Sequence, residues 1–138
     1  MAVKEIVKDL EVLKTVSKPT TYKDAQDVIR DLIDTAEANK DRCVGLSAIQ
    51  IGVPLRVCVV FDGMRYVPFV NPTIKKTYGR KYTAEEGCMS LDGTKEVERY
   101  EGVHIFYRIK NGVAKDFFRG YFAEVLQHEI DHFDGKLI

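Results

Sequence analysis

Residues 127–132 read QHEIDH, two imidazoles four residues apart with a carboxylate beside the first. On a helix, residues four apart lie one turn above each other on the same face, so His128 and His132 can offer ring nitrogens to one ion. Glu129 sits about 100° further round the axis, placed to reach a water beside the ion without ligating it. That is the chemistry of a metal-assisted hydrolase, with the carboxylate as general base. Two imidazoles leave the site incomplete, because catalytic metal sites of this kind take three protein ligands and keep one position open.

The metzincin extension HExxHxxGxxH is excluded, because HEIDHFDGKLI keeps Gly135 but ends on Ile138 where the last ligand would stand. Thermolysin-like zincins draw a ligand from a later helix, so here the third ligand is expected upstream. Cys58 lies in the apolar run LRVCVVF and reads as a small buried hydrophobe. His104 alternates onto the strand face shared with Phe106 and Arg108 and reads as an ordinary strand residue. Cys43, between a helix and a glycine-rich loop, is open to either reading. Cys88, in the polar stretch AEEGCMSLDG, can present a thiolate without competing for core packing and is the favoured ligand.

The motif must be held by a fold. From Tyr121 to Phe133 the apolar residues Phe122, Val125, Leu126, Ile130 and Phe133 follow a helical period, with His128 and His132 beside the stripe. A second amphipathic helix is predicted in TYKDAQDVIRDLIDTAEANKDR, near the N-terminus, with Thr21 and Asp24 resembling a capping box. CVGLSAIQIGVP reads as a loop whose glycines allow close backbone approach. LRVCVVF reads as a buried strand; YVPFVNPTI, with two prolines, as an edge or interrupted strand. VHIFYRI alternates, and Asn111-Gly112 marks a hairpin turn. The expected fold class is α+β: one domain over residues 1–138, with mostly antiparallel or mixed β-sheets packed around the helix that carries the histidines.

Composition narrows the function classes. Lysine plus arginine number 21, as do aspartate plus glutamate, so no overall field favours nucleic acid or an anionic membrane. No stretch is long and apolar enough to span a bilayer, and the opening residues lack the apolar block of a signal peptide. Three cysteines, an odd count, argue for free thiols in a reducing cytoplasm.

Three stretches, VGLSAIQ, EGCMS and QHEIDH, occur in the order and spacing of the three signature motifs of the peptide deformylases, and FVNPTI resembles that family's strand before the cysteine loop. The resemblance runs from Val44 to about Gly135, with an echo in LEVLKTVSKPT. It implies an enzyme that removes formate from formyl-methionyl nascent peptides; a cytoplasmic monomer is the accompanying expectation. It also implies one divalent metal, Fe²⁺ first, with Ni²⁺, Co²⁺ or Zn²⁺ compatible. By position, Cys88, His128 and His132 are the implied ligands and Glu129 the base and later acid. Gln50 and the backbone N–H of Met89 are the implied oxyanion donors. Val44 and Gly45 would bind extended peptide backbone, and Tyr121, Glu124 and Val125 would line the side-chain pocket.

The sequence departs from the family pattern at several positions. Cys43 stands for a glycine, Ser47 for an alanine, and Asp92 for a proline. A cysteine replacing a positive-φ glycine would be strained. Glu124 and Tyr121 would make the pocket polar if they face inward, and Glu124 facing solvent is the competing expectation. These departures leave two alternatives: an amidohydrolase for another acyl group, or a non-catalytic relative. Many relatives also continue beyond the third motif with a further helix or strand. Ribosome contact is left open, since no basic tail marks it.

Overall fold

The structure is a computed structural model and describes residues 2–138. Five strands form one sheet: β1 (Gly45–Ser47), β2 (Val57–Phe61), β3 (Tyr66–Gly87), β4 (Thr94–Ile109) and β5 (Gly112–Arg119). Their order in the sheet follows the chain, and every neighbouring pair is antiparallel. The helices are α1 (Leu10–Leu13), α2 (Gln26–Ala38) and α3 (Gly120–Phe133). The mixed sheet allowed by the sequence is thus a purely antiparallel one, with a single isolated parallel bridge between Lys18 and Leu55.

β2 explains the arrangement. Its run VCVVF is buried at its first four positions rather than on alternate residues, because both faces of the sheet are covered there. Val57 and Val59 point into one cluster with Val28, Ile29, Leu32 and Ala36 of α2. Cys58 and Val60 point into a second cluster with Phe69, Val103 and Ile105, closed by Ala123, Leu126, Ile130 and Phe133 of α3. The helix bearing the histidines is therefore packed against the centre of the sheet through its own apolar stripe.

One expectation needs correction. CVGLSAIQ is no plain loop: it forms β1 and then a 3₁₀ turn over Ala48–Ile51. YVPFVNPTI is an interrupted strand, as expected: it opens β3, pairs with β2 over residues 66–70, and passes to β4 through a register break between Val70 and Thr73. The prolines are tolerated because Pro68 lies before the first residue paired to β4 and Pro72 falls where the β3–β4 register shifts, between Val70 and Thr73. Asn71 there takes φ 51°, and its side chain is bonded to Thr20 through both N–H···O contacts, 2.9 and 2.6 Å. The expected cap also shifts: Thr21 Oγ1 accepts from Asp24 N–H at 3.0 Å, but α2 begins only at Gln26.

The β4–β5 hairpin turns through Lys110 and Asn111, with Gly112 already paired to Ile109. β3 and β4 form the long hairpin whose connection, residues 88–93, carries Cys88 back over α3.

Candidate active site

α3 runs for 14 residues from Gly120 to Phe133, and its inner face carries His128, Glu129 and His132, each less than 10% exposed. Cys88 leaves the end of β3 directly above them. Its Sγ lies 3.6 Å from His132 Nε2, which lies 3.2 Å from His128 Nε2, and the three donor atoms all fall within 4.8 Å of one another. A tetrahedral site with metal–sulfur and metal–nitrogen bonds of about 2.3 and 2.1 Å has S···N and N···N edges of about 3.6 and 3.4 Å. The measured separations match those edges, so the residues present fit a metal. Cys43 and Cys58 are closed off as candidates: each thiol is buried, and burial pushes Cys43 up to about 12 and Cys58 well above its ordinary value. His104 stays on the sheet, its ring edge against Phe106.

The histidine orientation is set by a charged network that sequence reasoning missed. His128 Nδ1 faces Glu86 Oε1 at 2.7 Å, which leaves Nε2 free to face Cys88 and His132. Glu86 in turn accepts from Arg99 Nε at 3.0 Å and Nη2 at 2.8 Å, and Arg99 Nη1 donates to Asp131 at 2.6 Å. Burial works against a charged Glu86, but the His128 and Arg99 hydrogen bonds overcome it and hold the carboxyl down to about 2. Across the imidazole pair, burial depresses both rings, yet the Cys88 thiol and Glu86 carry His128 up to about 10. His132, beside a charged neighbour, falls to about 3.

Glu129 is 3% exposed, and burial pushes its carboxyl up from the ordinary carboxylate range, a direction suited to accepting a proton and passing it on. Gln50 is buried on the 3₁₀ turn. Its Oε1 accepts from the Ser47 N–H at 2.9 Å, which turns Nε2 towards Ser90 Oγ at 3.2 Å and Cys88 Sγ at 3.5 Å. Ser90 is a second residue not found from sequence.

A cavity of about 510 Å³ opens over these groups, lined by Gln50, Cys88, His128 and Glu129 and by the other predicted residues: Val44, Gly45, Met89, Tyr121, Glu124 and Val125. Glu124 therefore lies on the cavity wall, its Oε1 accepting from Tyr82 O–H at 2.9 Å. Burial raises its carboxyl from the ordinary value. Tyr121 remains 63% exposed at the rim. Cys43 has no positive φ, so the strain considered for it does not arise. Gly45 is held to glycine by crowding: a Cβ there would come within 2.7 Å of both Glu129 Oε2 and Val125 Cγ1.

A family model described as polypeptide deformylase matches residues 3–138. The chain belongs to the peptide deformylase family. It is 43% identical over 137 residues to the peptide deformylase of Clostridium beijerinckii, covering 99% of each chain. It is 40% identical over 144 residues to that of Heliobacterium modesticaldum, covering 99% of this chain and 92% of the other. The crystal structure of the Thermotoga maritima peptide deformylase superposes with a TM-score of 0.89 at 31% identity, over 99% and 95% of the two chains. A Met-Ala-Ser-bound class I type b enzyme from Acinetobacter baumannii superposes with a TM-score of 0.88 at 27% identity, over 99% and 97%. Peptide deformylases are metalloenzymes that remove N-formyl groups from nascent peptides, and this chain is an enzyme of that family.

Proposed function

We propose that this peptide deformylase works as one catalytic domain over residues 1–138, with Cys88, His128 and His132 holding a single Fe²⁺ and Glu129 acting as the proton carrier. The observation that carries the reading is the convergence of those three donor atoms within 4.8 Å, with Glu129 and Gln50 on the wall of the same cavity. When bound, a divalent ion acidifies water and polarises the formyl oxygen. Glu129 takes the proton of the attacking water and returns one to the departing amine nitrogen. Gln50 Nε2, freed to face the site by the Ser47 N–H on its other end, donates to the formyl oxygen as it becomes negative, and the Met89 N–H is the second donor. A neutral amide suits this role because it does not compete for the metal.

Gly45 opens β1 and Val44 precedes it, both on the cavity lining, and their backbone would pair with an extended peptide strand-fashion. Tyr121, Glu124 and Val125 form the wall for the first side chain, methionine in a nascent chain. All these groups come from one chain, so a monomer suffices. The ligand thiol must stay reduced, and Cys43, Cys58 and Cys88 are all free, which favours the cytoplasm as the working compartment.

The test is formate release from formyl-Met-Ala-Ser by anaerobically prepared, Fe²⁺-loaded protein, compared with acetyl release from acetyl-Met-Ala-Ser. Rapid deformylation with little deacetylation supports the reading. Comparable turnover of both, or none of either with metal bound, contradicts it.

A further inference from the structure

Ser47 supplies a backbone N–H to Gln50, but its hydroxyl has no part in the scheme above. That hydroxyl is fully buried and lies 2.9 Å from Glu129 Oε1 and 2.9 Å from the Glu129 main-chain oxygen, 82 residues away in sequence. The geometry points to Ser47 as a positioning residue for the general base: its hydroxyl anchors one carboxylate oxygen of Glu129 and so aims the other at the reacting water. This rests on Glu129 being the proton carrier.

Three features support the assignment. A hydroxyl has one proton, and of two acceptors at equal distance the ionised carboxylate is the stronger. The second carboxylate oxygen, Oε2, lies against Gly45 on the cavity side, where a Cβ at Gly45 would come within 2.7 Å of it. The carboxylate plane is thus set from two sides, by a donor at Oε1 and by the bare Gly45 backbone at Oε2. Ser47 itself is fixed, because β1 pairs it with Cys58 and both residues are fully buried. Through its hydroxyl and its N–H, one residue orients both Glu129 and Gln50, so proton carrier and oxyanion donor keep a constant relation to each other. A side chain without a donor at this position fills the space but leaves the carboxylate free to turn.

The experiment compares wild type, Ser47→Ala and Ser47→Thr, each Fe²⁺-loaded, on formyl-Met-Ala-Ser, with metal content measured and the Ser47→Ala structure determined metal-free. Positioning predicts that Ser47→Ala lowers kcat about tenfold while KM stays within about twofold. Metal content should be unchanged, and the Glu129 carboxylate should be turned from its wild-type orientation in the metal-free structure. Ser47→Thr should recover most of kcat. If the added methyl prevents Ser47→Thr from folding, which circular dichroism reads directly, Ser47→Ala alone decides. A Ser47→Ala kcat within about twofold of wild type, a parallel change in KM and metal content, or an unmoved Glu129 overturns the proposal. An inactive wild type instead refutes the functional reading itself.

Discussion

Replacing Arg99 by methionine isolates the charge network beneath the site. Arg99 is 4% exposed and Glu86 is 8% exposed, with two hydrogen bonds of 2.8 and 3.0 Å between them. Arg99→Met fills the space but leaves the largely buried Glu86 carboxylate with His128 Nδ1, at 2.7 Å, as its remaining side-chain partner. Asp131 is less affected, since it is partly exposed and keeps Lys136 at 3.4 Å. Breaking a buried pair from one side costs about 3–5 kcal/mol, whereas removing both charges is often close to neutral. Arg99→Met should therefore lower the urea-unfolding free energy of the metal-free protein by about 3–5 kcal/mol, and adding Glu86→Gln should recover at least about half of the loss. The second replacement keeps an acceptor for His128 Nδ1, so the double variant should still bind metal. Equilibrium urea unfolding of the four members of the cycle measures the coupling. A loss below about 1 kcal/mol for Arg99→Met, or a double variant as unstable as the sum of the singles, would refute the claim that Arg99 chiefly neutralises Glu86.

Stability should fall in alkali. Burial holds the Cys43 thiol up to about 12 against an ordinary 9.0, so from pH 9 upward the unfolded thiol ionises while the folded one keeps its proton, and the unfolded state gains. The loss from Cys43 approaches about 4 kcal/mol at pH 12, and Cys43→Ala should flatten the decline in urea midpoints above pH 9; an unchanged slope would count against it. Gly45→Ala should push the Glu129 carboxylate and Val125 apart, costing about 1–3 kcal/mol of stability and most of the activity, read by thermal unfolding and formate release.

What the sequence revealed follows local spacing. The HExxH pair on α3, the apolar run of β2 and the amphipathic α2 all depend on periodicities within one element. Cys88 stood out because its neighbours are polar while Cys58 and His104 sit in apolar or strand settings, and the structure groups it with His128 and His132; Cys43 stayed open in sequence until its burial was seen. The Glu86–Arg99–Asp131 network was not legible. Glu86 and Arg99 meet only across the β3–β4 hairpin, and not as direct partners: Glu86 stands opposite Lys95 and Arg99 opposite Tyr82, so the long Arg99 side chain must reach along the sheet. The doubled carboxylate before Gly87 was the only local hint. Pro68 and Pro72 did mark the interruption of β3, but not the length of the strand that continues beyond it to Gly87. Ser47 was visible as a departure from the family pattern, but its contact with Glu129 depends on how β1 packs on α3, a long-range consequence of the core.

The most direct test of the account is Fe²⁺-loaded Glu129→Ala beside wild type, with metal content and formate release from formyl-Met-Ala-Ser measured on the same samples. Glu129 lies beside the Cys88–His128–His132 group without belonging to it, so the variant should hold as much metal as wild type. Its rate should fall by a factor on the order of 10²–10⁴, the usual contribution of a positioned proton carrier. A fully loaded variant that still released formate within about tenfold of wild type would contradict the role assigned to Glu129.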